Sequence, residues 1–276
     1  MPRVSVVIPT YGRPDNLKRL LDKLEHQTFK DFEVIVIVDG DRETFEALSD
    51  IKSKKPYPIK LEIIPNSGCN IARNRGIELA EGEIIAFTDD DCIPDDDWLE
   101  NGVKYFRQPE VVGVEGVIYS ERKGDATHRT PQILERKNVV HGRTANMFYR
   151  KDILKKVGGF DHRFTIEISR GKIGYRGDTD LAWRVEKYGK IPFAKDVRVF
   201  HPVDKITLGK GLKDSKCFIL TSLLLKKHPD RFKDVIRLTF FPLTPSVPLK
   251  IFWMFLGLLK GSESCKEFGG ERLVGK

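Results

Sequence analysis

The sequence predicts an α/β fold with a mainly parallel sheet, helices on both of its faces, and a helical C-terminal tail. Three observations carry this. Short apolar runs rich in β-branched residues recur through the first third of the chain, between them leucines and isoleucines recur at helical spacing, and each run stops abruptly at polar or turn residues. Strands buried on both faces read as continuous apolar runs, and their loops are where the chain meets solvent.

Residues 3–8 (RVSVVI) form an apolar run ended by Pro9, which reads as a buried strand. Leu17, Leu20, Leu21 and Leu24 follow at helical spacing. Pro14 and Asp15 suit the start of that helix, where a missing N–H costs little and an acid meets the dipole. Residues 32–38 (FEVIVIV) are a second strand, ending at Asp39-Gly40. Phe45, Leu48 and Ile51 mark a helix, 59–64 (IKLEII) a third strand, 67–80 a third helix and 83–87 (EIIAF) a fourth strand. In sheets of this kind ligands bind beyond the carboxyl ends of the strands, so residues 9–13, Asp39-Gly40 and 88–92 are expected to share one site.

The pattern then loosens. Residues 111–118 and 143–149 read as strands with longer polar connections, and Lys151–Val157 as a short helix closed by Gly158-Gly159. Residues 161–177 read as a charged, glycine-bearing loop, 178–188 as a helix, and 197–200 as a strand ending at His201. The expected organisation is one domain, 1–205, with a nucleotide-binding half (1–110) and an acceptor half (111–205), followed by a helical extension (206–276).

With 276 residues the chain can bury one sizeable core, and its ordinary composition excludes disordered and repetitive classes. The net charge of +8 fits an anionic ligand or a membrane surface; no nucleic-acid partner is expected. Cys69, Cys92, Cys217 and Cys265 lie far apart with no CxxC spacing, which points to a reduced, cytoplasmic environment. The N-terminal stretch lacks the apolar segment of a signal peptide, and the longest apolar run, 247–259, is too short to span a bilayer.

The densest cluster of candidate chemistry is Asp89-Asp90-Asp91, directly after EIIAF. Side chains at i and i+2 of an extended chain point the same way, so Asp89 and Asp91 can face one hard cation. Mg²⁺ or Mn²⁺ prefers oxygen ligands and keeps positions open for phosphate oxygens, and a departing diphosphate needs that charge. The competing reading is a solvated acidic turn. Asp39 can accept hydrogen bonds from a base or ribose, or only serve the turn before Gly40. Arg73 can match a phosphate with its planar guanidinium, or sit exposed on its helix. Asp178 opens a helix, where the dipole favours the anion; it can take a proton from a hydroxyl, or only cap the helix. His201 is a third candidate metal ligand, or a structural histidine.

Taken in order, VSVVIPTYGRPDNLKRLLDKLEHQTF, FEVIVIVDG, NSGCNIARNRGIELAEGEIIAFTDDDC, DDDWLE, TANMFYRKDILKKVGGFD and GDTDLAWRVEKYG resemble the family-2 inverting glycosyltransferases, which adopt the GT-A fold. These blocks cover residues 3–201. The resemblance implies a Rossmann-like nucleotide-binding half. It also implies transfer of a sugar, with inversion and help from Mn²⁺ or Mg²⁺, from a nucleotide diphosphate donor (UDP by default) to a glycan or lipid-linked acceptor. It implies that Pro9, Thr10, Tyr11 and Asp39 line the nucleoside pocket, with Arg13 in the same turn joining the donor-binding set. Arg73 would lie near the base or diphosphate, Asp90 near the donor, Asp89 and Asp91 would be the DxD pair, with Asp91 the direct metal ligand, and Asp178 would be the base. One position departs from the family: its acidic pair is usually Glu-Asp, and here it is Gly177-Asp178.

Other readings use the same residues. A sugar-1-phosphate nucleotidyltransferase would want a glycine-rich turn after the first strand, and PTYGRP is not one. A basic, non-catalytic binding module has only the +8 charge behind it, and a degenerate transferase only Gly177. The tail sets apolar runs beside basic groups, as interfacial helices do, so either a peripheral contact with the cytoplasmic membrane face, a homo-oligomer contact or packing on the core is expected of it.

Overall fold

The computed structural model describes residues 1–120, 142–168, 171–202, 215–235, 251, 254 and 255. Its strands are β1 (Val4–Thr10), β2 (Phe32–Asp39), β3 (Ile59–Ile64), β4 (Ile84–Phe87), β5 (Ile93–Pro94), β6 (Gly113–Tyr119), β7 (Met147–Arg150), β8 (Thr165–Ile168), β9 (Gly171–Gly174) and β10 (Phe193–Phe200). Its helices are α1 (Pro14–Glu25), α2 (Arg42–Ser49), α3 (Cys69–Leu79), α4 (Trp98–Tyr105), α5 (Lys151–Val157), α6 (Gly177–Glu186) and α7 (Ile219–Lys227).

Eight strands form one mixed sheet in the order β3-β2-β1-β4-β7-β6-β10-β5, and β8-β9 is a separate hairpin. The first half is parallel: β1 lies between β2 and β4, and β3 extends the sheet beyond β2. Every residue of β1 and β2 is buried. Alternation explains why. Val4, Val6 and Ile8 join Leu17, Leu20, Leu21 and Leu24 of α1 in one core, while Val7 faces Ala72 and Ile77 of α3 in the other. The apolar runs are thus continuous because both faces are covered.

β7 runs antiparallel to both β4 and β6 and joins the two halves. Asn146, fully buried just before β7, holds that junction: its amide donates to the Val117 and Val197 carbonyls at 2.8 and 3.0 Å and accepts from Trp98 Nε1 at 2.8 Å. Residues expected as a strand from 143 are therefore a 3-10 turn (Thr144–Asn146) followed by β7. Other differences have similar causes. Half of the stretch expected as a loop is the hairpin β8-β9, whose Ile166 and Ile173 face each other across the pair; flanking charges hide that short alternation. The helix α4 follows the second acidic run, with Trp98, Leu99 and Val103 buried. The last strand begins at Phe193, before the apolar stretch at 197, and β5 pairs with its end.

Helix α3 approaches the sheet closely because Gly76 has no side chain. A Cβ there would lie 2.3 Å from Val7 Cγ1 in the middle of β1. One turn earlier, Arg73 is thereby carried to the carboxyl end of β4.

The start of the C-terminal extension packs on the core. Leu220, Leu223 and Leu224 of α7 share a buried cluster with Leu181 and Trp183 of α6. Fully buried Asp180 fastens the two helices, taking Lys227 Nζ at 2.7 Å, His228 Nε2 at 3.0 Å and Arg184 Nε at 2.9 Å. Burial pushes the Asp180 carboxyl up, but His228, Arg184 and Lys227 outweigh it and hold the group below its ordinary range. The tail beyond 235, including Trp253, lies outside the described residues except at 251, 254 and 255. Among the described residues no helix is long and apolar enough to cross a membrane.

Gly76→Val should overpack the α3–β1 contact and destabilise the fold by about 1–3 kcal/mol. Thermal unfolding measured by circular dichroism should show the transition several degrees lower; an unchanged midpoint would mean that α3 does not pack as described.

Candidate active site

The carboxyl edge of the parallel half collects the expected residues. Pro9 and Thr10 end β1, and Tyr11 and Arg13 lie in the turn into α1, with Tyr11 53% exposed. Thr10 Oγ1 donates to Asp90 Oδ2 at 2.8 Å. Arg13 Nη1 donates to Asp91 Oδ2 at 2.7 Å and to Asp90 Oδ1 at 3.3 Å. From the other side Arg73 Nη2 donates to Asp89 Oδ1 at 2.8 Å. Each aspartate is therefore held by a guanidinium, and Asp90 by a hydroxyl as well.

These contacts decide the charge states. Burial raises the Asp90 carboxyl to about 6; Arg13 and Thr10 pull it down, while Asp91 and Asp89 push it up. Burial disfavours the charge on Arg73, but Cys69, Asp89 and Asp178 outweigh it and hold the guanidinium above its ordinary range. Arg73, expected near the base or diphosphate, donates to Asp89 in this structure and lies over the Phe160 ring. Its Nε is buried with no partner among the described residues.

His201, at the end of β10, reaches the same edge. Its Nδ1–H donates to the Pro202 carbonyl at 2.8 Å, which turns Nε2 towards Asp91 Oδ1, 3.5 Å away. Carboxylate oxygens with an imidazole nitrogen turned inward are a donor set that fits a hard divalent cation.

Asp39 ends β2 with both oxygens engaged: Ser67 N–H donates to Oδ1 at 2.6 Å and Gly68 N–H to Oδ2 at 2.8 Å. It thus fixes the loop that starts α3, and each oxygen keeps a second lone pair.

Asp178 lies in the first turn of α6. Its Oδ1 accepts the Thr179 N–H at 2.8 Å. The helix terminus was expected to hold this carboxyl as an ordinary anion. Instead burial pushes it up, against the Thr179 N–H and the guanidinium groups of Arg73, Arg176 and Arg143. Arg176, just before it, has a left-handed backbone with φ 68°, the only such non-glycine residue among those described. Gly142, whose absent Cβ would meet the Asp178 carbonyl at 2.6 Å, sets Arg143 beside the same turn. Gly177 has close neighbours: a Cβ there would lie 2.8 Å from Asn70 Nδ2 and 3.1 Å from Phe164 Cβ. The space of the family's usual second acid is thus partly filled by Asn70 and Phe164.

Sequence reading placed Cys92 in the expected site without giving it a role, and missed Arg143 and Arg176, which nothing local marks.

Fold and site together define a glycosyltransferase of the GT-A type, and comparison with known proteins agrees. The model of the family described as "Glycosyl transferase family 2" matches residues 5–164, and the chain belongs to that family. Glycosyltransferase AglE of Haloferax volcanii is 30% identical over 218 residues, 73% of this chain and 67% of AglE. A glucosyl-dolichyl phosphate glucuronosyltransferase from the same organism is 26% identical over 181 residues, 58% of this chain and 56% of that protein. The chain thus spans between about half and two thirds of the length of these relatives. Among solved structures, S. aureus TarS 1–349 in complex with UDP superposes with a TM-score of 0.65 at 20% identity, covering 91% of this chain and 75% of that one. The mannosyltransferase PcManGT of Pyrobaculum calidifontis, in complex with GDP-Man and Mn²⁺, gives 0.66 at 19% identity, covering 95% and 76%. Asp178 and His201 lie beyond the stretch that the family model matches.

The raised Asp90 predicts a pH effect. A folded value of about 6 against 3.8 means that the folded state holds the proton more tightly. This contribution to stability is complete below pH 3.8 and is lost as pH rises through about 6. Asp90→Asn should therefore gain stability relative to wild type as pH rises from 3.8 through about 6, read by thermal unfolding without added cation or nucleotide. A pH-independent difference would contradict the assignment.

Proposed function

We propose that this glycosyltransferase moves a sugar from a UDP-sugar to a hydroxyl of a glycan or lipid-linked acceptor, in one displacement that inverts the anomeric carbon. The observation that carries this reading is the placement of Asp89 and Asp91 on one sheet edge with His201, whose Nε2 lies 3.5 Å from Asp91 Oδ1 and which also clusters with Asp89, while Arg73 links Asp89 electrostatically to Asp178. Asp89, Asp91 and His201 would hold Mn²⁺ or Mg²⁺, which when bound supplies the positive charge that a departing diphosphate requires.

In this reading Asp39 and the β1 end, Pro9 to Tyr11, receive the nucleoside. Asp39 offers its remaining lone pairs to base or ribose, and the exposed Tyr11 covers it. Arg13, 45% exposed at its side chain, can turn from Asp90 and Asp91 to the donor's phosphates. Arg73 keeps Asp89 in place. Asp178 takes the proton from the acceptor hydroxyl, whose oxygen then attacks the anomeric carbon from the face opposite the diphosphate. Its raised affinity for protons suits a base, because a carboxylate nearer neutrality accepts a proton more readily. No second nucleophile intervenes, so configuration inverts. UDP-containing neighbours support the choice of UDP, while the GDP-Man complex of PcManGT keeps a guanosine donor in the screen.

The C-terminal extension belongs to the acceptor side in this proposal. Phe232, Ile251 and Phe255 are exposed, which supports a contact with a membrane surface at the cytoplasmic face or with a second copy of the chain.

The test is transfer and donor binding measured on the same preparations with Mn²⁺ and a panel of nucleotide-sugars. Asp178→Asn keeps the side chain's size and should retain donor binding while losing transfer by roughly 10²–10⁴-fold. Asp91→Ala should lose both transfer and Mn²⁺-dependent donor binding. Wild-type transfer by Asp178→Asn, or full activity in EDTA, would overturn the corresponding role.

A further inference from the structure

We propose that Asp89, Cys92 and His201 form a site for a borderline-soft divalent cation of the zinc class. It shares two ligands with the Mn²⁺ or Mg²⁺ site described above and so excludes the hard ion. The consequence for transfer rests on the proposed function; the binding itself does not.

A carboxylate oxygen of Asp89, the Cys92 sulfur and an imidazole nitrogen of His201 all lie within 4.8 Å of one another. Two independent features of the backbone bring them there. The Cys92 N–H donates to the Asp89 carbonyl at 3.1 Å, a tight turn that folds the cysteine back towards the first aspartate. The antiparallel pairing of β5 with β10 sets Phe200 opposite Ile93, so the next residues outward, His201 and Cys92, are neighbours across the strands. The bond from His201 Nδ1–H to the Pro202 carbonyl then turns the Nε2 lone pair inward.

The ligand types decide which ion this set prefers. A hard cation selects oxygens and gains little from a thiol, whereas sulfur, imidazole and carboxylate with an open fourth position is a zinc-type set. Cys92 is an unoxidised thiol, 1% exposed, at the rim of the core. Asp89 and His201 have side chains 30% and 21% exposed, so an ion can arrive from the solvent side and the thiol loses its proton to solvent on binding. Because the His201 Nε2 has one lone pair and cannot serve two ions at once, a zinc-class ion should act as an antagonist of the hard cation.

The experiment is a Cd²⁺ titration of the reduced full chain without nucleotide, followed by thiolate-to-cadmium charge-transfer absorption in the ultraviolet. Wild type should take up one Cd²⁺ with that band, and Zn²⁺ should abolish it. Asp91→Asn and Cys69→Ser should keep the band and Cys92→Ser should lose it. Should Cys92→Ser fail to fold, His201→Ala, at a half-buried strand end, keeps the buried thiol and should weaken Cd²⁺ binding by at least about tenfold. No band in wild type, a band that survives Cys92→Ser, or unchanged Cd²⁺ affinity in His201→Ala would overturn the site. Zn²⁺ should inhibit Mn²⁺-supported transfer more strongly in wild type than in Cys92→Ser. A chain that shows the cadmium band but transfers no sugar would refute the proposed function alone; transfer without the band would refute this site alone.

Discussion

Three consecutive carboxylates at one sheet edge repel one another, and the arrangement around them follows from that constraint. Arg13 reaches Asp90 and Asp91 from the turn after β1, and Arg73 reaches Asp89 from α3. Burial does most to raise Asp90, Arg13 and Thr10 offset part of that, and the neighbouring Asp91 and Asp89 add to it.

The clamp depends in turn on packing. Arg73 reaches Asp89 because α3 lies close to β1, and α3 lies close because Gly76 has no side chain to meet Val7. The start of α3 is fixed separately by Asp39, which takes the Ser67 and Gly68 N–H groups from the end of β2. Two contacts made by different strands therefore set the position of one guanidinium. The same residue that would receive a nucleoside also anchors the helix carrying the arginine, so loss of the Asp39 carboxylate would disturb both functions.

A second polar centre ties the C-terminal extension to helix α6. Asp180 lies two residues after Asp178, on the same helix, and binds Lys227 and His228 across the interface with α7. A buried carboxylate with charged partners fixes orientation more than it adds net stability, because desolvation offsets much of the attraction. Its structural effect is to hold the first turn of α6 against the core while Arg176, in its left-handed conformation, turns the chain into that helix.

Much of this molecule is legible in its sequence, because burial leaves a local record. The all-apolar strands β1 and β2, the leucine stripe of α1 and the acidic run after β4 could all be read in order, since each element's periodicity reports which of its faces is covered. The motifs of a family-2 glycosyltransferase were legible for the same reason: they are contiguous. Tertiary structure alone decided what distant residues meet. The antiparallel end of β10 sets His201 beside Cys92, far earlier in the chain, and the close approach of α3 brings Arg73 to Asp89. Burial raises the Asp178 carboxyl against its helix start. Register and desolvation are sums over residues far apart in the chain, and no local pattern encodes them.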